Sequence, residues 1–330
     1  AIKLLEINDV IFDIAVTPDR GYGLSIRGLA REIAGALGVT YTDPVEALRS
    51  LEFAENGKGV KPVIETGASI FYLRTLGNYN TNSPTPLWIT RRIEKMGMRP
   101  ISLAVDITNY VMLELGQPLH AFDREKISGD LRIARLKKSE KFTTLDGHVR
   151  DISSQDLLIM DDKHPLALAG TMGGENSEID ATTSELCIEA ARFDPISIAK
   201  NSRGHKISSE ASRRFERAVD PSLAEFASAR AAALLIEFAG ASHIQSLSAG
   251  APVYAPVLYL DPAYVSKTLG FDVSPQKIRE ILTQLGCDID GDFNVDPPSW
   301  RWDLTQAADL VEEIARMIGY DKIPSVLPPR

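Results

Sequence analysis

Two changes of texture, near residues 68 and 251, most constrain what this 330-residue chain can fold into. A polar stretch, YTDPVEALRSLEFAENGKGVKP, separates a short helical pattern from a long middle in which strands and helices alternate. After APVYAP the chain returns to compact helical units. The division that follows is 1-50, 51-250 and 251-330, and the total length suffices for two or three domains at roughly 100–200 residues each. The middle lacks the regular long βαβ alternation of a doubly wound sheet, so the expected class is α+β. Its parts are a central mixed α/β domain, a small helix-and-wing C-terminal domain and a partial N-terminal α+β segment.

Local signals fill in this frame. NDVIFDIAV, residues 8 to 16, alternates loosely and predicts a strand. In SIRGLAREIAGALG, Ser25 is placed to cap a helix with Leu29, Ile33, Ala36 and Leu37 on its apolar face, and Gly38 stops it. Ser83 and Pro84 open a second helix ending near Gly97, and TNYVMLELG is a third that halts at Gly116. Strands are predicted in SIFYLRTLGNY, around the LDG turn, in DLLIMDDKHPLALAG and in ELCIEAARFD. Ser274 and Gly286 bracket SPQKIREILTQLG as cap and stop. Leu310, Ile314, Met317 and Ile318 make AADLVEEIARMIGY strongly amphipathic.

Composition excludes several classes. Cys187 and Cys287 are the only cysteines, far apart and without metal-ligand spacing, which fits a reducing, cytoplasmic compartment rather than a disulfide framework. No apolar run approaches the ~20 residues of a membrane span. The first residues are too acidic for a signal peptide and lack an initiator Met, so the chain reads as the middle of a longer one. A net charge of −9 argues against a whole-surface grip on nucleic acid, while leaving room for a local basic patch.

Five constellations carry chemistry. In LELGQPLHAFD the helix stop at Gly116 and the turn at Pro118 deliver His120 beside Asp123. GTMGGENSEID offers Gly170, Gly173 and Gly174 for close backbone approach, without the spacing of a nucleotide loop. Glu189 interrupts an apolar strand, sharing a side with Cys187 and Ala191, and a carboxylate walled in that way needs a donor from the protein or from a ligand hydroxyl. Arg192, Lys200, Arg203, Lys206, Arg213, Arg214 and Arg217 form the most basic tract of an acidic protein, suited to phosphate contacts or to a solvated helix face paired with Glu210 and Glu216. Near the C-terminus Asp309, Glu312 and Glu313 fall on one helix face, with Asp303 just ahead. They could supply oxygens to Mg²⁺ or simply complement the helix dipole.

Taken in order, SPTPLWITRRIEKMGMRPISLAVDITNYVMLELGQPLHAFD, TLDG, LALAGTMGGENSEI, IEAARFDPISI, SSEASRRFERAVDP and PPSWRWDLTQAADLVEEIARMIGYDKIP resemble the beta subunits of bacterial phenylalanine–tRNA ligases. VTPDRGYGLSIRGLAREIAGALG resembles the end of that family's N-terminal domain, so the resemblance covers essentially the whole chain. It implies an internal fragment containing the editing domain, lacking an oligonucleotide-binding barrel ahead of it and two domains behind. The intact alpha2beta2 enzyme attaches Phe to tRNA(Phe) with ATP at a site in the alpha subunit, so the fragment is not expected to aminoacylate. Its central domain is expected to hydrolyse tyrosine mistakenly esterified to tRNA(Phe).

Position by position, the resemblance implies that Glu189 accepts the tyrosine hydroxyl, and that His120 and Asn109 lie near the ester and the terminal adenosine. Gly173 and Gly174 would shape the amino-acid pocket, with Ser209 and Ala211 on its wall. Arg203, Lys206 and Arg213 would contact the tRNA. Asp303, Asp309, Glu312 and Glu313 match positions that the family uses for Mg²⁺ at the boundary with the alpha subunit. Ser209 stands where the family often has Thr, and SRGHKISSEAS departs from the usual lead-in. A rival expectation is a non-catalytic scaffold that docks tRNA or the alpha subunit. A metal-dependent hydrolase built on His120, Asp123 and Glu189 has no ligand spacing to support it.

Overall fold

The computed structural model describes residues 8–325. Residues 8 to 16 have no regular secondary structure and form no strand: Val10, Ile11 and Phe12 are exposed, and alternation without a partner edge makes no ladder. Helix α1 (Ile26–Leu37) forms as its signals predict, with Ser25 Oγ accepting the Gly28 N–H and Gly38 in the left-handed region at φ 64°. Its buried face is different from the expected one. Arg27, Gly28 and Ala34 are inward, while Ile33 is 53% and Leu37 70% exposed. Two close fits decide this: the Arg27 guanidinium bonds Asp43 and Asp220, and a Cβ at Gly28 would lie 1.9 Å from the Tyr22 carbonyl oxygen.

The polar connection contains a short helix, α2 (Pro44–Leu48), capped by Asp43. Val45, Leu48 and Phe53 pack onto the central core. Strands β1 (Pro62–Ile64) and β2 (Ala68–Gly77) follow, then α3 (Leu87–Lys95). Pro86, not Ser83, holds the cap position of α3, with no side-chain cap bond. Helix α4 (Leu103–Leu115) ends at Gly116, φ 93°, and the chain turns into β3 (Leu119–Asp123). Short strands β4 (Leu131–Ala134), β5 (Glu140–Thr143), β6 (Val149–Ile152), β7 (Leu158–Met160), β8 (Pro165–Leu168) and β9 (Met172–Gly173) lead to the long strand β10 (Leu186–Phe193). Helices α5 (Pro195–His205), α6 (Glu210–Phe215) and α7 (Ala224–Ala239) and strand β11 (Ser242–Gly250) complete the middle.

Strand β10 is buried along its whole length because both its faces are covered. It lies in an antiparallel sheet of order β11-β2-β10-β3. On one face Leu186 and Ile188 join a core with Ile107, Val111 and Leu235 from α4 and α7. On the other, Cys187, Ala191 and Phe193 join Leu131, Ile133 and Ile159 of a second sheet, β1-β4-β7-β8-β9. Each large side chain buried in this way is worth about 1.5–3 kcal/mol. Glu189 alternates onto the face between the two sheets, so its carboxylate sits among the apolar side chains buried there.

The C-terminal part has its own core. Strand β12 (Leu258–Tyr259), helices α8 (Pro262–Leu269) and α9 (Pro275–Gln284), strands β13 (Asp288–Ile289) and β14 (Asn294–Asp296) and helix α10 (Ala307–Ile318) bury Val265, Ile278, Leu282, Val295, Leu310 and Ile314 together. Ser274 caps α9, as its position predicts. The whole is a mixed α+β architecture.

Candidate functional site

The turn at Gly116–Pro118 starts β3, and antiparallel pairing sets its register against β10 so that His120 faces Glu189 directly. Directly opposed residues in such a pair have Cβ atoms about 4.5–5.5 Å apart. The Gly-rich loop after β8 closes over them. A Cβ at Gly173 would stand 2.6 Å from His120 Cε1, so only glycine lets the imidazole lie flat against the loop. The ring's other neighbour is Phe122, edge-on at 4.5 Å. His120, Glu189 and Gly173 line a cavity of about 70 Å³ together with Pro118, Ala167, Thr171, Ala211 and Phe215. That is room for several waters at about 10–15 Å³ each.

The two titratable groups in this cavity are both pushed towards neutrality by burial. Glu189 is 4% exposed, its Oε1 has no hydrogen-bond partner among the described residues, and its pKa rises to about 8. The pKa of His120 falls to about 4. At pH 7 the pocket therefore holds a neutral carboxylic acid beside a neutral imidazole, both withheld from charge by desolvation. Such a pocket admits an apolar ring and offers one polar atom at depth. It lacks a Ser-His-Asp relay, and burial pushes the Cys187 thiol up to about 12, far from a thiolate nucleophile.

The remaining expected site residues separate into three outcomes. Gly173 and Ala211 line the cavity with His120 and Glu189. Gly174 does not: its missing Cβ makes room for the Phe142 ring, and Gly170 takes the place at the wall, at φ 59° against Phe215. Ser209 also stands back, because its hydroxyl is consumed by capping α6 and by donating to the Thr171 carbonyl at 2.9 Å. It fixes the loop instead of touching the cavity. Asn109 is half-buried on α4 and is not among the lining residues. The loop's N–H groups are partly spoken for, Gly174 donating to Leu166 and Thr171 to Leu168.

The basic tract divides by burial. Lys200, Arg203, Lys206 and Arg213 are exposed on α5, its end and α6. Arg214 is buried against Glu210 and the Leu24 carbonyl, Arg217 donates to the Val16 carbonyl, and Arg192 stacks 3.7 Å from the Trp302 ring. The paired-helix-face expectation is met by the exposed Arg213, 3.7 Å from Glu210, whereas Arg214 bonds Glu210 from a buried position; Lys200, Arg203 and Lys206 are left exposed.

The carboxylates near the C-terminus do not assemble a Mg²⁺ cage. Both Asp303 oxygens face Arg301, and Asp309 accepts the Thr305 and Gln306 N–H groups at the start of α10. Glu313 is buried among Arg20, Arg301 and Arg316. Burial alone would raise its pKa, but bonds from Arg301, Arg316 and Arg20 bring it down to about 2. Only Glu312 is open to solvent, 3.7 Å from Arg20. Among the described residues no group of three or more His, Cys, Asp or Glu could hold a metal ion. Mg²⁺ needs free oxygens in near-octahedral array, and here arginines and backbone N–H groups occupy them. The nearest physical account is structural: Glu313 ties the N-terminal segment to α10, helped by an Arg316–Glu32 pair at 3.0 Å.

Comparison with known proteins gives this arrangement a class. A family model described as the B3/4 domain matches residues 67–240, and one described as the tRNA synthetase B5 domain matches 258–320. The chain belongs to the phenylalanine–tRNA ligase beta-subunit family. It is 48% identical to the beta subunit of Streptomyces avermitilis over 99% of its own length and 40% of that protein's. For Leifsonia xyli the figures are 44%, 99% and 40%, and for Bifidobacterium longum 42%, 100% and 41%. The chain thus spans about two-fifths of the length of these relatives. A solved N-terminal fragment of the phenylalanyl-tRNA synthetase beta subunit from Pyrococcus horikoshii superimposes with a TM-score of 0.43 at 14% identity, over 93% of this chain and 86% of that one. No helix among the described residues is long and apolar enough to cross a membrane.

Proposed function

We propose that residues 51-250 are the editing domain of a phenylalanine–tRNA ligase beta subunit and hydrolyse tyrosine esterified to tRNA(Phe). The observation that carries this is the Glu189 carboxyl: buried, neutral at pH 7, and left with Oε1 unpartnered at the bottom of an apolar cavity. A phenol hydroxyl donating to Oε1 satisfies that atom, whereas a phenyl ring leaves it orphaned. A site built to hydrogen-bond a hydroxyl rejects the analogue lacking it by about 10⁴–10⁵, while a pocket made for Phe discriminates poorly against an added hydroxyl. Editing at a second site is the physical answer to that asymmetry.

With the ring between Glu189 and Ala211, the ester lies towards His120 at the cavity mouth. The neutral imidazole keeps a lone pair for orienting water towards the ester carbonyl carbon. Attack breaks the acyl bond, and the ribose oxygen leaves with the proton that water gives up. Gly173 holds the imidazole in place, and Ser209 holds the loop through the Thr171 carbonyl. Asn109 on α4 is assigned to the adenosine side, outside the cavity. The exposed Arg203, Lys206 and Arg213, with Lys200, grip phosphates of the tRNA, which positions the acceptor end without reading sequence. The alpha subunit is the partner in which ATP-dependent aminoacylation occurs, and the assembly works in the cytoplasm. No step here runs through Mg²⁺, since Asp303, Asp309 and Glu313 are already engaged by arginines and backbone N–H groups and Glu312 alone is open to solvent.

The test is Glu189→Ala in this chain. A working site loses preference for Tyr-tRNA(Phe) over Phe-tRNA(Phe). Unchanged release of tyrosine by the variant would remove Glu189 from recognition and return the chain to a scaffold.

A further inference from the structure

A second cavity lies beyond the end of the same strand. Arg192 alternates to the face of β10 opposite Glu189 and enters a hollow of about 480 Å³ lined also by Thr66, Gly67, Ser69, Arg135 and the start of α5. Arg192 is 9% exposed and, among the described residues, its guanidinium has no ion pair and its Nε no hydrogen-bond partner. Trp302 stacks on it at 3.7 Å and so fixes the plane of the fork. Ser69, which sits at a register shift between β2 and β10, has a buried hydroxyl that is likewise unpartnered.

The wall carries a second arginine without a carboxylate. Arg135 spends its donors on the Gln155 carbonyl and the Ser197 hydroxyl. One acid is present: Asp194, whose Oδ2 is already held by the Ser197 N–H and hydroxyl as the cap of α5. Two arginines against one engaged carboxylate leave a net positive hollow, and the N-terminus of the 11-residue helix α5 adds to it. Burying a guanidinium without an anionic partner is costly, and its planar fork matches the oxygens of a phosphoryl group.

We propose that Arg192, Ser69 and Arg135 form a binding site for a phosphoryl group, either free phosphate or the phosphodiester of a nucleic-acid backbone. The site is distinct from the editing cavity and does not depend on the function assigned to it. Arg192 supplies the fixed fork, Ser69 an O–H donor and Arg135 long-range charge.

The probe is inorganic phosphate, titrated calorimetrically into the 330-residue chain at low ionic strength, with tryptophan fluorescence as a second readout through Trp302. Saturable one-site binding is expected. Arg192→Gln should weaken it at least about tenfold, as loss of charged hydrogen bonds does. Ser69→Ala should weaken it several-fold, and Lys277→Gln, an exposed lysine elsewhere, should leave it unchanged. If Arg192→Gln fails to melt cooperatively, Ser69→Ala and Arg135→Gln carry the test. Absence of saturable binding, or equal affinity in the variants and the parent, overturns the proposal. A dinucleoside monophosphate that competes with phosphate and needs Arg192 identifies the backbone as the source. One that does not compete identifies free phosphate.

Discussion

Replacing Glu189 by Gln keeps the shape of the side chain while removing its proton, and should change how stability depends on pH. Folding raises the pKa of Glu189 from 4.5 to about 8, so the native state holds this proton more tightly and stability falls as pH rises between those values. His120 acts in the opposite sense. Its pKa drops from 6.5 to about 4, so stability rises with pH over that interval. Each slope is at most about 1.4 kcal/mol per pH unit. Between pH 4.5 and 6.5 the two oppose and cancel. From pH 6.5 to 8 only Glu189 acts, and the parent chain should lose roughly 2 kcal/mol. Glu189→Gln should abolish that loss and uncover the His120 contribution, a rise of roughly 3 kcal/mol between pH 4 and 6.5. Urea unfolding at closely spaced pH values gives both profiles, and their difference cancels the other carboxylates. Superimposable profiles, or a loss above pH 6.5 that persists in the variant, would refute the desolvated pocket.

Three further substitutions probe the supports. Gly173→Ala brings a methyl to 2.6 Å from His120 Cε1 and should slow tyrosine release by about 10²-fold, the scale of a 1 Å misplacement, with the unfolding midpoint little changed; activity equal to the parent would show that the ring's position is immaterial. Ser209→Ala removes both the cap of α6 and the bond to Thr171, and urea unfolding should report a loss of about 1–2 kcal/mol. Glu313→Gln leaves Arg20, Arg301 and Arg316 without their shared anion, and should cost about 3–5 kcal/mol in the same assay. A neutral outcome there would mean that Asp303 alone suffices for Arg301.

Much of the site was legible because its determinants are local. An acid inside an otherwise apolar strand announces a buried carboxylate, and the stop at Gly116 followed by Pro118 fixes where His120 emerges. Ser25, Ser274 and Gly38 act within a few residues of themselves, and each does what its position predicts. The departures come from partners distant in sequence. The buried face of α1 is set by Arg27, whose partner Asp220 lies 193 residues away, and not by the apolar stripe that periodicity selects. The Ser209 hydroxyl is taken by a carbonyl 38 residues earlier. Charge counting treated the basic tract as one surface, yet Arg214 and Arg217 reach back to Leu24 and Val16, and Arg192 leans on Trp302. Helical spacing put Asp309, Glu312 and Glu313 on one face but could not reveal that Arg20 and Arg301 would claim Glu313. Phe215, a wall of the cavity, was hidden among the arginines of α6; its apolar character amid charge is the one signal that could have marked it.

The central claim, that this chain removes tyrosine and spares phenylalanine on the same tRNA, is tested most directly by deacylation of Tyr-tRNA(Phe) beside Phe-tRNA(Phe) at high protein concentration. Selective release of tyrosine, lost in Glu189→Ala, is the predicted result. Equal release of both amino acids, or tyrosine release indifferent to Glu189, would contradict it.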